Sequence, residues 1–373
     1  MRITHVISGL TKGGAERVVV ELANIAVEKG HEVTVLAAWP VDPAMMQDQL
    51  HPGVGIKFIG ATRKKAYLNL IPWIFRNRKW IGSNDVLHCH LTYGAVFGTF
   101  VFIVLRKIFR YKKPAVVETN HAVGMPIPPF NRWVHSRMLL FRDGVVFMAR
   151  DAYWNGFMDK HPGLRSALIV NGIRIPKQDR SAEQHQQFRQ KMGVKENCRY
   201  LVGTVSMLRP ERKPWLYISL LQDVMEAMGD DVQFILAGDG VERDALRAQI
   251  EEKDLGDRIC MPGLVNNPTS VMSNLDIYVS LCAGETAGIS MIEAAMCGIP
   301  VVGIQLDPAY TPKETDWVWS NADIHAVAKK IISLLQDTGE RKQVAHMQQA
   351  HVNQYFTTEA MYTSYDAFYK TVS

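Results

Sequence analysis

Residues 284–300 read GETAGISMIEAAMCGIP. They follow an apolar strand pattern at Asp276–Leu281 and run into a short helix that Gly298-Ile299-Pro300 ends, with glycine just past the last turn and proline beyond it. Glu285 and Glu293 stand eight residues apart, one before the helix and one in its first turns. Between them Gly288, Ile289 and Ser290 form a helix entry whose free backbone N–H groups suit an anion such as a pyrophosphate. On that reading Glu285 sits beside the phosphates and Glu293 accepts hydrogen bonds from a polyol such as a ribose. Ser290 three residues before Glu293 also fits a capping box that needs no ligand. The stretch alone does not separate the two readings.

Outward from this stretch, short apolar strands alternate with helices in both directions. Toward the amino terminus the pattern predicts strands at Ile3–Ile7, Val33–Ala37, Asp85–His90, Ala115–Thr119, Val145–Met148 and Ala167–Val170. Helices fall between them, at Ala15–Lys29, Tyr93–Ile108, Asn131–Phe141 and Asp151–Lys160. A polar segment, Pro176 to Gln187, reads as a linker running into a surface helix. The alternation then restarts, with strands at Tyr200–Val205, Val232–Ala237, Ile259–Met261, Asp276–Leu281 and Val301–Ile304. Helices Glu340–Gln354 and Thr358–Val372 close the chain. Such alternation means parallel sheets with crossover helices. The expected fold class is α/β, two Rossmann-like domains facing across a cleft, with ligands beyond the carboxyl ends of the strands.

The length of 373 residues suits two domains, and 47% hydrophobic with 21% charged residues is the composition of a globular protein. The opening MRITHVISGL reads as a first strand rather than a signal peptide. Five cysteines without a CxxC pair read as buried thiols of a reducing cytosol. Charge is uneven: residues 1–170 hold 22 Lys and Arg against 11 Asp and Glu, whereas residues 171–373 hold 20 against 26. The first half therefore suits an anionic partner.

Two segments carry that charge. Residues 62–82 contain six basic residues, no acids, and Trp73, Phe75 and Trp80. Residues 97–113 join an apolar run to five basic residues, again without acids. The run reads as too short and too quickly charged to span a bilayer. Aromatics interleaved with cations suit the interface of an anionic membrane. A crossover helix with a solvated basic end explains residues 97–113 equally simply. No nucleic-acid module accompanies the charge, so nucleic acid is not an expected partner.

Several strand ends carry candidate chemistry. Gly13 and Gly14 lie in the loop after the first strand, where the backbone can approach a ligand closely, or simply turn. His121 ends a strand and enters a proline-rich loop, a place to meet a ligand or to serve structure. His88 and His90 share one face of a strand, and with no third ligand in sight they read as core or cleft lining rather than a metal site. Arg209, Arg212 and Lys213 form a cationic cluster after the first strand of the second half, suited to a diphosphate leaving group or to solvent. Gly238-Asp239-Gly240 and Gly263-Leu264-Val265 end later strands, leaving room for a flat base or turning the chain. No Asp-x-Asp occurs, so a carboxylate-held metal has no sequence support, and no cofactor is expected. The GxGxxG fingerprint with a trailing acid is missing too, which argues against a dinucleotide-dependent dehydrogenase.

Taken in order, these pieces resemble a retaining glycosyltransferase of the GT-B fold and family-four type. The resemblance rests on GGAE near the amino terminus, Asn171-Gly172-Ile173, RPERK, the GDG turn, PGLV, and ETAGISMIEAAMCGIPVV. It implies that Glu285 contacts the donor sugar and Glu293 the ribose, with the amides of Gly288, Ile289 and Ser290 on the phosphates. Arg209 and Lys213 would balance the departing diphosphate, and Leu264 and Val265 would lie against the base. Gly14 and His121 would face the junction of donor and acceptor. Met207 departs from the arginine common in the family, and Arg209 is its expected substitute. The implied division is an acceptor-side domain at 1–170, a donor domain at 171–355 and a helix at 356–373 packing back on the first domain.

The resemblance implies metal-independent transfer of a sugar, from a UDP-sugar foremost, to an acceptor hydroxyl in bacterial lipopolysaccharide or polysaccharide synthesis. The expected location is the cytoplasm, with the basic domain on the inner face of the membrane. The rivals are a GT-B epimerase or phosphorylase, and a membrane-associated protein that binds nucleotide sugar without catalysis.

Overall fold

The computed structural model describes the chain except for residues 12, 42–45, 122–126, 149, 151, 175–180, 284–287, 306–317 and 322. It divides into two compact units, Met1–Arg174 with Phe356–Ser373, and Ile175–Tyr355.

The first unit runs β1 (Arg2–Ile7), α1 (Gly14–Glu28), β2 (Glu32–Ala37), β3 (Gly55–Phe58), α2 (Arg63–Gly82), β4 (Val86–His90), α3 (Leu91–Val101), β5 (Ala115–Asn120), α4 (Pro129–Leu139), β6 (Gly144–Phe147), α5 (Ala152–Asp159) and β7 (Arg165–Leu168). Its seven strands lie parallel in the order β3-β2-β1-β4-β5-β6-β7. Both faces of the sheet are covered, which is why the central strands read as near-continuous apolar runs. Val18, Leu22 and Ile25 of α1 are buried, as their helical spacing requires.

Two elements of this unit escape the sequence pattern. The twenty-residue helix α2 buries only Ala66, Leu70, Ile74 and Ile81, and its basic and aromatic remainder hides that stripe. Strand β3 is short and mostly exposed. The expected helix Tyr93–Ile108 is α3 continued by a π-helical segment, Phe102–Ile108. These eighteen residues, of mean hydropathy 1.5, are long and apolar enough to cross a membrane by length and composition, which corrects the expectation that the run is too short. They connect β4 to β5, however, and Tyr93, Phe97, Val101 and Leu105 insert into the core of the unit.

The second unit runs α6 (Ala182–Lys191), β8 (Tyr200–Val205), α7 (Trp215–Met228), β9 (Val232–Ala237), α8 (Arg243–Glu252), β10 (Ile259–Gly263), α9 (Pro268–Met272), β11 (Ile277–Ala283), α10 (Ile289–Met296), β12 (Val301–Gln305), β13 (Val318–Asn321), α11 (Ile324–Gln336) and α12 (Thr338–Tyr355). Six parallel strands take the order β10-β9-β8-β11-β12-β13. Leu220 and Val224 of α7 meet Phe234, Ile277, Val279 and Ile331 in its core.

The last helix, α13 (Thr358–Val372), belongs to the first unit and buries Met361, Tyr365, Phe368 and Tyr369. Gly172 shows why the Asn171-Gly172-Ile173 segment is built as it is. A methyl group at Gly172 would collide with the Thr357 carbonyl, and Ile173 N–H donates to Phe356 O at 3.0 Å, so glycine admits the returning chain. Thr358 Oγ1 then donates to Glu21 Oε2 of α1 at 2.9 Å.

Candidate active site

In each sheet the strand order reverses once, between β1 and β4 and between β8 and β11. A crevice opens beyond the carboxyl ends of the strands at such a reversal, and ligands bind there. In the second unit the reversal brings together the two stretches richest in candidate chemistry. The loop after β8 carries Met207, Arg209, Arg212 and Lys213, and the loop after β11 leads into α10.

Helix α10 starts at Ile289 behind an extended Gly288, and no side chain caps it. The first intrahelical donors are Met291 and Ile292, both to Gly288 O. The N–H groups of Gly288, Ile289 and Ser290 are thus the open end of the helix. The capping-box reading fails, because Ser290 lies inside the helix and its hydroxyl bonds instead to the phenol of Tyr278. That phenol is fully buried, burial pushes it above its usual pKa, and it also donates to Val205 O at 3.1 Å at the end of β8. Tyr278 therefore ties the strand end that launches the cationic loop to the entry of α10. Glu293 is half-buried in α10, with its charge acting on Tyr278. Glu285 lies outside the described residues.

Arg209, Arg212 and Lys213 are exposed, and none makes an ion pair among the described residues. Lys213 adopts a left-handed backbone, φ 46, which costs a non-glycine residue about 1 kcal/mol. Such strain persists only where the surroundings impose it and concentrates at functional sites. Met207 is 42% exposed and contributes a backbone carbonyl to Arg209 N–H.

The GDG turn supports this loop rather than opening space for a base. Gly238 and Gly240 have φ of 136 and 158, and a methyl group on either would strike the Ser206 or Leu208 carbonyl. Leu208 N–H donates to Asp239 O and Gly238 N–H to Gly263 O, so the loops after β8, β9 and β10 form one rim. Leu264 is exposed and Val265 half-exposed on that rim.

In the first unit the tip of α1 is already occupied. Gly14 is exposed at the start of α1, but the Glu16 carboxylate folds back over Gly13 and accepts from Thr11 Oγ1 at 2.6 Å. A carboxylate here satisfies the helix dipole that an incoming phosphate would need. His121, half-buried after β5, has Nε2 at 3.0 Å from Nδ1 of His90. Sequence reasoning left His88 and His90 without a third partner; register supplies one, since His5 of β1 pairs with His88. The ligand atoms of His5, His88 and His90 lie within 4.8 Å of one another, so these three buried side chains form a group that could hold a metal ion. Burial pushes His5 down to about 3 and His121 to about 4, and holds His88 and His90 well below the usual value.

Two parallel sheets with interleaved helices, each with a single reversal, define the GT-B class of two Rossmann-like domains. HepE of Anabaena, solved with UDP, matches over the whole of both chains with a TM-score of 0.76 at 19% identity. Residues 12–153 match the model of glycosyltransferase family 4, and residues 185–350 that of glycosyl transferases group 1. The chain belongs to this glycosyltransferase family. The O-antigen biosynthesis glycosyltransferase WclY of Escherichia coli is 24% identical over 81% of this chain and 79% of its own. N-acetyl-alpha-D-glucosaminyl L-malate synthase of Bacillus anthracis is 22% identical, and there the match spans about half of each chain, 50% and 49%.

Proposed function

We propose that the protein transfers a glycosyl unit from a nucleoside diphosphate sugar, foremost a UDP-sugar, to an acceptor hydroxyl in bacterial cell-surface polysaccharide or lipopolysaccharide assembly. The observation that carries this reading is an open helix entry, Gly288 to Ser290, at the same strand reversal as a loop whose cations, Arg209, Arg212 and Lys213, make no ion pair among the described residues. Donated amides and cations at one point fit a diphosphate, and they act most strongly where charge develops as it leaves. Arg209, Arg212 and Lys213 take that charge, Glu293 the ribose, and Leu264 with Val265 the base. Glu285 takes the sugar hydroxyls, while His121 and Gly14 are assigned to the acceptor side.

The transfer retains anomeric configuration and needs no metal ion. The acceptor oxygen bonds to the anomeric carbon as the carbon–phosphate-oxygen bond breaks, and the leaving phosphate receives the acceptor proton. The absence of an Asp-x-Asp pair in the sequence supports the metal-free form. Thermal stabilisation screened across UDP-, GDP- and ADP-sugars tests the donor, since a ligand bound to the native state raises its melting point. Glu285→Ala should abolish turnover with the fold intact; full activity in that variant contradicts the assignment. Product analysis separates transfer from epimerisation or phosphorolysis.

The same reading places the protein in the cytoplasm, on the inner face of the membrane. Tyr67, Leu68, Ile71 and Phe75 of α2 are exposed beside Arg63, Lys64 and Arg76. Phe75 packs edge-on against Phe109, over which Arg78 lies at 5.2 Å, joining the two basic segments into one patch. Exposed aromatics among cations fit an anionic bilayer surface. Co-sedimentation with phosphatidylglycerol vesicles but not phosphatidylcholine vesicles is the expected result.

A further inference from the structure

Behind His121 stand two more imidazoles in series. His90 Nδ1 faces His121 Nε2 at 3.0 Å, and His90 Nε2 faces His5 Nδ1 at 3.1 Å. His90 and His5 are fully buried, on adjacent strands β4 and β1. A neutral imidazole carries one N–H and one lone pair. His90 is hydrogen-bonded on both nitrogens, so it donates to one neighbour and accepts from the other. Each link joins an Nε2 to an Nδ1, so only two proton arrangements satisfy both bonds. Either all three rings carry their hydrogen on Nε2, or all three carry it on Nδ1. The tautomer of His121 is thereby tied to that of two buried rings.

We propose that His90 and His5 are positioning residues that hold His121 in one orientation and one tautomer, so that its remaining nitrogen, Nδ1, meets substrate in a single fixed role. The proposal rests on the transfer reading only for what His121 then does. His88, although its ring lies 4.0 Å from that of His90, stands outside this chain. Its Nδ1 bonds the Tyr369 hydroxyl and its Nε2 the Thr119 hydroxyl, both at 2.7 Å. Tyr365 in turn bonds Thr119 at 2.9 Å, so α13 braces His88 separately. Nearby charge comes from Glu118 of β5, which is paired with Arg142 at 2.7 Å and with His135.

Long-range 1H–15N spectra of the full-length protein labelled at histidine test the chain without any assumption about activity. The expected result at pH 7 is one and the same tautomer for His5, His90 and His121; mixed or averaged tautomers overturn the proposal. The functional arm compares His90→Gln, whose amide falls where Nε2 was and loses His121, with Tyr369→Phe, which disturbs the neighbouring brace alone. His90→Gln should average the His121 tautomer and lower kcat about tenfold with donor KM within about twofold. Tyr369→Phe should leave the His121 tautomer and kcat unchanged. Equal losses of kcat in the two variants would mean a purely structural role. His5→Asn, whose amide falls where Nδ1 was, should retain more activity than His5→Phe, and indistinguishable rates contradict the chain. Stoichiometric Zn2+ uptake that His88→Asn abolishes would also overturn it, because an ion seated among His5, His88 and His90 takes lone pairs the chain needs. If no donor is turned over, the transfer reading fails while the tautomer result stands on its own.

Discussion

The Tyr369 hydroxyl lies 2.7 Å from Nδ1 of His88, joining the last helix of the chain to the fourth strand of its first sheet. Both groups are fully buried. Removing one partner of a buried hydrogen bond leaves the other unsatisfied, at a cost of about 1–3 kcal/mol. Tyr369→Phe should therefore destabilise the protein by that amount. Urea unfolding followed by tryptophan fluorescence would show a lower midpoint with an unchanged slope; an unmoved midpoint would mean that the bond contributes nothing.

Gly240 gives a second expectation. At φ 158, with the Leu208 carbonyl where a side chain would begin, Gly240→Ala must displace the loop that carries Arg209 to Lys213. Alanine where the backbone favours glycine costs on the order of 1–2 kcal/mol, and the collision adds to it. The variant should lose donor-induced thermal stabilisation as well as stability. A variant that is destabilised yet stabilised by donor as strongly as the wild type would show that the GDG turn does not set the cationic loop.

What the sequence disclosed and what it hid follow from range of interaction. Helix α10 and the strands around it were legible because glycine, proline and apolar runs act locally. The alternation likewise announced two parallel sheets. Helix α2 was hidden, because four buried residues in twenty are masked by cations and aromatics. The third histidine was hidden for a different reason. His5 and His88 become neighbours only when β1 pairs with β4 in the observed register, which no local pattern specifies. Gly238 and Gly240 fit either room for a flat base or a turn of the chain by sequence, and the structure shows that they admit the backbone of the loop after β8. Glu285 lies outside the described residues, so its placement rests on sequence.

Burial gives the pH dependence a definite sign. His5 is held neutral with its pKa lowered from 6.5 to about 3. The unfolded chain thus takes up a proton before the folded one as pH falls. Stability from this source is complete above pH 6.5 and is lost progressively between 6.5 and 3. Between pH 7 and 4.5 the loss should be on the order of 3 kcal/mol. His5→Asn, less stable at pH 7, should show a correspondingly flatter profile in urea titrations at the two pH values. Parallel profiles for variant and wild type would assign the acid sensitivity elsewhere.

Lys213 separates stability from function most cleanly. Its left-handed φ of 46 is a conformation that glycine adopts without penalty, and its side chain is exposed with no ion pair among the described residues. If the residue were there for the fold alone, Lys213→Gly would be neutral or better in every assay. Relief of backbone strain predicts a gain of about 1 kcal/mol, seen as a higher melting temperature. Loss of a cation poised on a departing diphosphate predicts the opposite for turnover, a fall of about 10²-fold or more in kcat, the size of effect seen when one stabilising donor is removed from such a site. Lys213→Ala keeps the strain and loses the charge, so it should match the glycine variant in kcat while remaining less stable. A glycine variant that turns over at the wild-type rate would remove Lys213 from the reaction and leave its strained backbone as a feature of the turn.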